Sequence, residues 1–374
     1  MKEGWEYRKL EEVCNIDFGT RVVRSRDAGS IYPVYGGGGA TFKMDTYNRE
    51  DCMVISRFGM SEQCTRFVNG KFFLNDSGLT LSMKNNCMIQ TFMDWQILYL
   101  NNTIYSLGRG AAQKNLDTKA LAGVAIAYPI NLSEQQSIVD YLDSAFAKID
   151  AMKANAEKAL NESKALFQSS LKEMLEPKEG WEEKTLGELA TDMYRGSGIK
   201  RDQVTKEGTP CVRYGEIYTT YNVGFDSCVS HTKEEYISSP KYFEHGDLLF
   251  AITGESVEDI GKTIAYLGNE KCLCGGDIIC MKHMQNPKFL AYALSTPDAI
   301  RQKGMGKTKL KVVHTNAPSL KAISIPVPTL AEQQSVVDSL DSLKSKVDRL
   351  QDNYEKISQE CDALKQAILR QVFE

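Results

Sequence analysis

No window of the 374-residue sequence comes near the roughly 18 uninterrupted apolar residues that a membrane span requires. The opening residues, Met1-Lys2-Glu3-Gly4-Trp5-Glu6, lack the apolar core of a secretory signal, so a cytoplasmic protein with no membrane association is expected. Histidine is scarce: His231, His245, His283 and His314 are the full set. The ten cysteines include no Cys-x-x-Cys pair, and the closest two are Cys272-x-Cys274. A zinc site wants clustered ligands at short fixed spacing, so no metal is expected, and the thiols read as reduced and mostly buried.

Nucleotide and catalytic signatures are also missing. Gly261-Lys262-Thr263 and Gly306-Lys307-Thr308 resemble the end of a phosphate-binding loop. That loop needs a glycine five residues earlier, where Ser256 and Arg301 stand. No Gly-x-Gly-x-x-Gly is followed by an acid at dinucleotide spacing. The Asn/Asp-Pro-Pro-Phe/Tyr tetrapeptide of amino-methyltransferases and the Gly-x-Ser-x-Gly of hydrolases are both missing. No pair of carboxylates stands out by spacing. A non-catalytic chain with no cofactor of its own is expected.

A basic excess is lacking too. The net charge is −4, with 45 Lys and Arg against 49 Asp and Glu. By segment, residues 1–130 carry +2, 131–178 carry −2, 179–328 carry −1 and 329–374 carry −3. The acid excess therefore lies mostly in two segments that read as helices, and any basic face must be local.

What the chain does have is an internal repeat. Residues 3–13, EGWEYRKLEEV, return at 179–189 as EGWEEKTLGEL, an offset of 176. Residues 132–152, LSEQQSIVDYLDSAFAKIDAM, return at 330–350 as LAEQQSVVDSLDSLKSKVDRL, an offset of 198 with 12 identities in 21 positions. The second unit is thus longer by 22 residues, and its interior shows little similarity to the first. Constant flanks suit a common partner or mutual packing, whereas divergent interiors suit two different targets.

The constant segments read as long helices. Each follows an apolar-proline run, Ile126-Ala-Tyr-Pro129 or Ile325-Pro-Val-Pro328. Asn131 or Ser133 can cap the first and Thr329 the second, with Glu134 and Glu332 in the first turns. Heptad spacing gives the first helix a stripe at Leu142, Ile149, Ala156, Ser163 and Ser170, with a companion at Ile138, Ala145, Met152, Ala159 and Leu166. The second helix has Leu340, Val347, Tyr354, Cys361 and Ile368, with Val336, Leu343, Leu350, Ile357 and Leu364. Small residues on one helix and large ones on the other predict that the two pair with each other, antiparallel. The expected seam is Leu142, Ile149, Met152, Leu340, Val347 and Leu350.

The interiors read as short strands with Gly-rich turns. Strands are expected at 51–56, 71–74, 246–252 and 260–266, and short helices at 289–294 and 298–303. The fold class is α+β: two mixed α/β domains, 1–130 and 178–328, and two long antiparallel coiled-coil helices, 131–177 and 329–374, in a pseudo-two-fold tandem repeat. Basic and aromatic residues interleave in the turns. Arg21, Arg24 and Arg26 precede Tyr32-Pro-Val-Tyr-Gly-Gly-Gly-Gly39, and Arg109 and Lys114 flank another glycine turn. In the second domain Arg195, Lys200 and Arg213 stand beside glycines, and Lys303, Lys307, Lys309 and Lys311 surround Gly304-Met-Gly306. Arginine can read guanine edges and lysine can neutralise phosphate, so these are the candidate DNA contacts.

Gly4-Trp5 with Leu10, its return at Gly180-Trp181 with Leu186, and the duplicated Glu134-Gln-Gln136 and Glu332-Gln-Gln334 resemble the specificity subunit of a type I restriction-modification system. Pro210-Cys-Val-Arg-Tyr-Gly215, His245-Gly-Asp-Leu-Leu-Phe250, Ile260-Gly-Lys262 and Gly304 to Lys309 are similar to a target-recognition domain of that family. The first domain departs more, with Glu50-Asp-Cys-Met-Val-Ile55 in place of the Gly-Asp-Leu-Leu-Phe strand. The resemblance implies double-stranded DNA as partner, with each domain reading half of a bipartite, asymmetric site. It implies that the paired helices set the spacing and dock two modification (methyltransferase) subunits, and that restriction subunits join. S-adenosylmethionine, ATP and Mg would reside on those partners, which would carry the adenine methylation and cleavage. A coiled-coil scaffold with protein- or peptide-binding domains, and a specificity subunit of a related methylation-only system, stay open as alternatives.

Overall fold

The computed structural model describes residues 2–111, 113–257, 259–306 and 313–374. The chain forms two compact units, Met1–Glu157 with Asn353–Glu374, and Lys158–Asp352. Each holds a mixed α/β domain and part of both long helices.

The first domain opens and closes on one ladder, in which Trp5–Lys9 runs antiparallel to Ala125–Pro129. Between them lies a six-stranded sheet in the order Cys14–Phe18, Gly78–Met83, Arg49–Ser56, Thr65–Leu74, Tyr32–Tyr35, Lys43–Met44. The ladder between Tyr32–Tyr35 and Thr65–Leu74 is parallel and the others antiparallel. Met53, Ile55, Leu79 and Leu81 bury one sheet face against Phe92, Met93 and Ile97 of the helix Gln90–Tyr99. Each such side chain contributes about 1.5–3 kcal/mol on burial.

The second domain closes the same way, through Glu182–Thr185 against Ser324–Val327. Its core is split over two five-stranded sheets. The extra length lies mostly between Val212 and Leu248. It contains the helix Tyr214–Thr219 and the strands Gly224–Phe225, Ser230–Thr232 and Tyr242–Phe243. The strand expected over 260–266 begins only at Thr263, because the chain turns through Gly261 at a φ of 72°. The expected short helices form at Pro287–Ala293 and Pro297–Gly304, capped by Asn286 and Thr296 with proline in the first turn.

The long helices run Leu132–Met174 and Leu330–Phe373. Asn131 caps the first, its carboxamide oxygen accepting Ser133 N–H at 2.9 Å. Thr329 and Glu332 cap the second reciprocally, at 3.1 and 3.4 Å. Among the described residues no helix is long and apolar enough to cross a membrane.

The repeated Glu-Gln-Gln has a structural cause. Gln135 is fully buried; it accepts Ile89 N–H at 2.8 Å and donates to Cys87 O and Pro129 O at 3.0 and 2.7 Å. Gln333 does the same in the second unit: it accepts Asn286 N–H at 2.9 Å and donates to Gln285 Oε1 and Pro328 O at 2.7 and 3.0 Å. Two turns on, the repeated aspartates seat the next helix. Asp143 accepts Trp95 Nε1–H at 2.9 Å, and Asp341 accepts Tyr292 O–H at 2.8 Å.

Within each unit the long helices pair antiparallel. In the first, Lys153 bonds Asp362 at 3.3 Å, and Cys361 packs on Ile149. In the second, Lys164 bonds Gln351 at 2.7 Å. One stripe lies as expected: Leu142, Ile149, Leu340 and Val347 are buried. The companion stripe is displaced by one residue, to Val139, Phe146, Leu160 and Phe167 on the first helix. Met152 and Leu350 therefore leave the seam, at 58% and 37% exposure, as do Leu166 and Leu364. The cause is the order of the steps: the heptad advances three residues and then four from Val139 to Leu142 to Phe146. Two aromatic rings fill the row that small residues had suggested lay elsewhere.

Candidate nucleic-acid interface

In the first domain, five backbone hydrogen bonds gather the loops at one end of the sheet's strands. After Phe18 the chain turns, with Gly19 N–H donating to Gly78 O at 3.0 Å and Thr20 N–H to Leu74 O at 3.0 Å. A Cβ on Gly19 would lie 1.9 Å from Asn75 O, so only glycine fits. Asn75 N–H donates to Tyr35 O, Arg57 N–H to Ser77 O and Leu116 N–H to Arg57 O, each at 2.8 Å. The cluster presents Phe18 and Phe58, both about half exposed, with the Arg57 guanidinium 4.8 and 4.5 Å from their ring centroids. Arg66 is spent on the glycine loop, donating to Gly37 O at 2.6 Å and to Gly38 O.

The second domain repeats all five bonds. Gly196 N–H donates to Ile278 O at 2.9 Å, Ser197 to Cys274 O at 2.8 Å and Gly275 to Val212 O at 2.9 Å. Ile252 N–H donates to Asp277 O, and Thr315 N–H to Ile252 O, both at 3.0 Å. One scaffold thus carries different side chains: Phe18 is replaced by Arg195, Gly36 by Arg213, Ser77 by Asp277 and Arg57 by Ile252. Arg195, Arg201, Arg213, Tyr214 and Asp277 line a cleft of about 990 Å³. There Arg195 bonds Asp277 at 2.7 Å, and Arg213 bonds the buried Glu216 at 3.0 Å. Glu216 also accepts Ser230 Oγ–H at 2.7 Å, which locks Arg213 in the cleft wall.

Eight of the twelve candidates from sequence fall into three groups. Arg109 and Lys114 lie on the hairpin that joins the first cluster; Arg109 pairs with Asp117, and Lys114 Nζ sits 3.9 Å from the Tyr105 ring centroid. Arg195, Arg213 and the exposed Lys200 surround the second cluster. Arg21, Arg24 and Arg26 are exposed on the segment after the Gly19 turn, and Arg26 pairs with Asp27 at 2.8 Å. Lys303 is corrected. It is buried, donating to Thr263 Oγ1 at 3.1 Å and Leu294 O at 2.8 Å, and burial pushes its ammonium down to about 7. A phosphate cannot reach it. Lys307, Lys309 and Lys311 lie outside the described residues.

Arg57, Phe58, Phe18 and Tyr214 were not anticipated. A signal was available: Arg57-Phe-Gly59 and Arg213-Tyr-Gly215 are the same arginine-aromatic-glycine run after a buried strand. Among the described residues no His, Cys, Asp and Glu cluster could hold a metal. Burial pushes the Cys14 thiol up to about 12 and those of Cys52 and Cys64 to about 11, so these are not nucleophiles at neutral pH.

The family described as type I restriction modification DNA specificity domain matches residues 2–162 and again 178–359. No curated protein matches the chain. A solved structure described as "Structural basis underlying complex assembly and conformational transition of the type I R-M system" is similar at a TM-score of 0.73 and 16% identity, covering 100% of this chain and 98% of that one. The HsdS subunit from Thermoanaerobacter tengcongensis is similar at a TM-score of 0.53 and 18% identity, covering 100% and 97%.

Proposed function

The chain belongs to the type I restriction modification DNA specificity family, and from that premise we propose that its two domains read the two halves of one bipartite, asymmetric DNA site. The carrying observation is the set of five matched backbone hydrogen bonds that hold differently equipped loops in each domain. A shared scaffold fixes where side chains meet DNA, and unlike side chains in the same slots select unlike sequences. Arg195, Arg213 and Lys200 serve the second half-site. Arg21, Arg24, Arg109 and Lys114 surround the first, where exposed cations neutralise phosphate.

The chain itself performs recognition. Methyl transfer and cleavage belong to modification and restriction subunits, which bring S-adenosylmethionine, ATP and Mg. Two modification subunits dock on the duplicated helix starts. Leu132 and Leu330 are exposed apolar residues at equivalent positions, next to the repeated Glu134 and Glu332 and the exposed Gln136 and Gln334. An exposed leucine kept at the same position in both copies fits one kind of partner bound twice. Methylome sequencing of the source cell with and without this chain tests the function. A bipartite adenine-methylation motif should vanish with the chain, and an unchanged methylome overturns the proposal.

A further inference from the structure

Among the loop arginines, Arg57 alone combines a fixed backbone, an aromatic seat and an unneutralised charge. Its N–H and C=O are both bonded, to Ser77 and from Leu116 at 2.8 Å. Its guanidinium rests on Phe18 and Phe58 at 4.8 and 4.5 Å from the centroids. Arg26, Arg109, Arg195 and Arg213 are each matched by a carboxylate: Asp27, Asp117, Asp277 and Glu216. Arg57 is in no ion pair among the described residues, and its bond to Asp76 O is long, at 3.5 Å. Among the described residues Arg21 and Arg24 also lack an ion pair, and no ring holds their side chains in place.

We propose that Arg57, seated on Phe18 and Phe58, reads a guanine within the half-site of the first domain. This assignment rests on the two-half reading above. Two rings hold the guanidinium plane, so little side-chain freedom is lost on binding. Apart from the long bond to Asp76 O, the in-plane N–H fork is available to a guanine, whose O6 and N7 accept two parallel bonds in the major groove. Without a carboxylate neighbour, no ion pair must break first. The equivalent slot in the second domain holds Ile252, which is buried. The contact therefore belongs to the first domain alone.

The test selects binders from a library of random 40-base-pair duplexes, using the full-length chain and its Arg57→Ala, Arg57→Lys and Phe58→Leu variants, each checked for an unchanged thermal melt. The wild-type chain should enrich a bipartite motif with a required G·C pair in one half. Arg57→Ala should lose preference at that pair by roughly 5- to 150-fold and keep every other position. Arg57→Lys keeps the charge without the fork, so it should lose the same preference while binding bulk DNA as the wild type does. Phe58→Leu should weaken the preference at the same pair by a smaller factor. An Arg57→Ala motif equal to the wild type at every position overturns the assignment alone. So does a uniform weakening across all positions, which marks a phosphate contact. A wild-type chain that enriches no motif overturns both the assignment and the reading beneath it.

Discussion

Gln135→Ala tests why the repeated Glu-Gln-Gln exists. The side chain is fully buried and makes three hydrogen bonds, at 2.7–3.0 Å, to Ile89 N, Cys87 O and Pro129 O. Truncation strands one donor and two acceptors that water reaches poorly. Each costs about 1–3 kcal/mol, and partial relaxation brings the expected total to about 3–5 kcal/mol. Gln136 is the control. It is exposed and bonds Asp140 at 2.8 Å within its own helix, so Gln136→Ala should cost no more than about 0.5 kcal/mol. Urea unfolding followed by tryptophan fluorescence measures both. Trp5 and Trp95 report on the first unit, and a Trp181→Phe background silences the second. A Gln135→Ala chain within about 1 kcal/mol of its parent, or a Gln136→Ala chain as damaged as Gln135→Ala, would refute the reasoning.

Further outcomes follow from single buried groups. Burial raises the Asp94 carboxyl to about 6, so the folded state favours the protonated form, and its stability contribution is present below the unfolded value near 4 and lost as pH rises through about 6. Asp94→Asn should therefore stabilise the chain by about 2–3 kcal/mol at pH 7.5 and scarcely at pH 4; equal effects at both would contradict this. Ile149→Asp places a carboxylate in the buried stripe and should cost about 3–5 kcal/mol. Met152→Asp, on the exposed side, should stay within about 0.5 kcal/mol by the same urea titration. Phe373 packs on Phe92 and Tyr99 at 5.6 and 5.3 Å, so Phe373→Ala should cost about 2–4 kcal/mol and speed amide exchange in residues 90–99.

The repeat, the two long helices and the mixed α/β domains were legible because periodicity and duplication survive any detail of packing. The companion stripe was not, since Met152 and Phe146 both fit an apolar row and only tertiary neighbours, among them Trp95 against Phe146 and Tyr292 against Phe167, decide between them. The clusters of arginine and glycine pointed to loops that the matched backbone hydrogen bonds gather in each domain. The error at Lys303 is instructive: a lysine at the end of the helix Pro297–Gly304 looks like a phosphate contact in sequence, yet Thr263 and Leu294 capture it in the interior. Arg57 was overlooked because its seat, Phe18, lies 39 residues away in sequence and arrives only through the Gly19 turn.

The central claim is modular reading by two domains on one scaffold, and a domain exchange measures it most directly. Residues 14–125 are replaced by the corresponding segment of another specificity subunit, keeping Trp5–Lys9, residues 126–129 and Gln135 so that the closing ladder and the Gln135 bond to Pro129 O survive. Single-molecule sequencing then reads the methylated motif in cells that carry the exchanged chain with its modification subunits. The account predicts a motif with one half altered and the other half unchanged. A folded, active exchange that alters both halves, or neither, would contradict it.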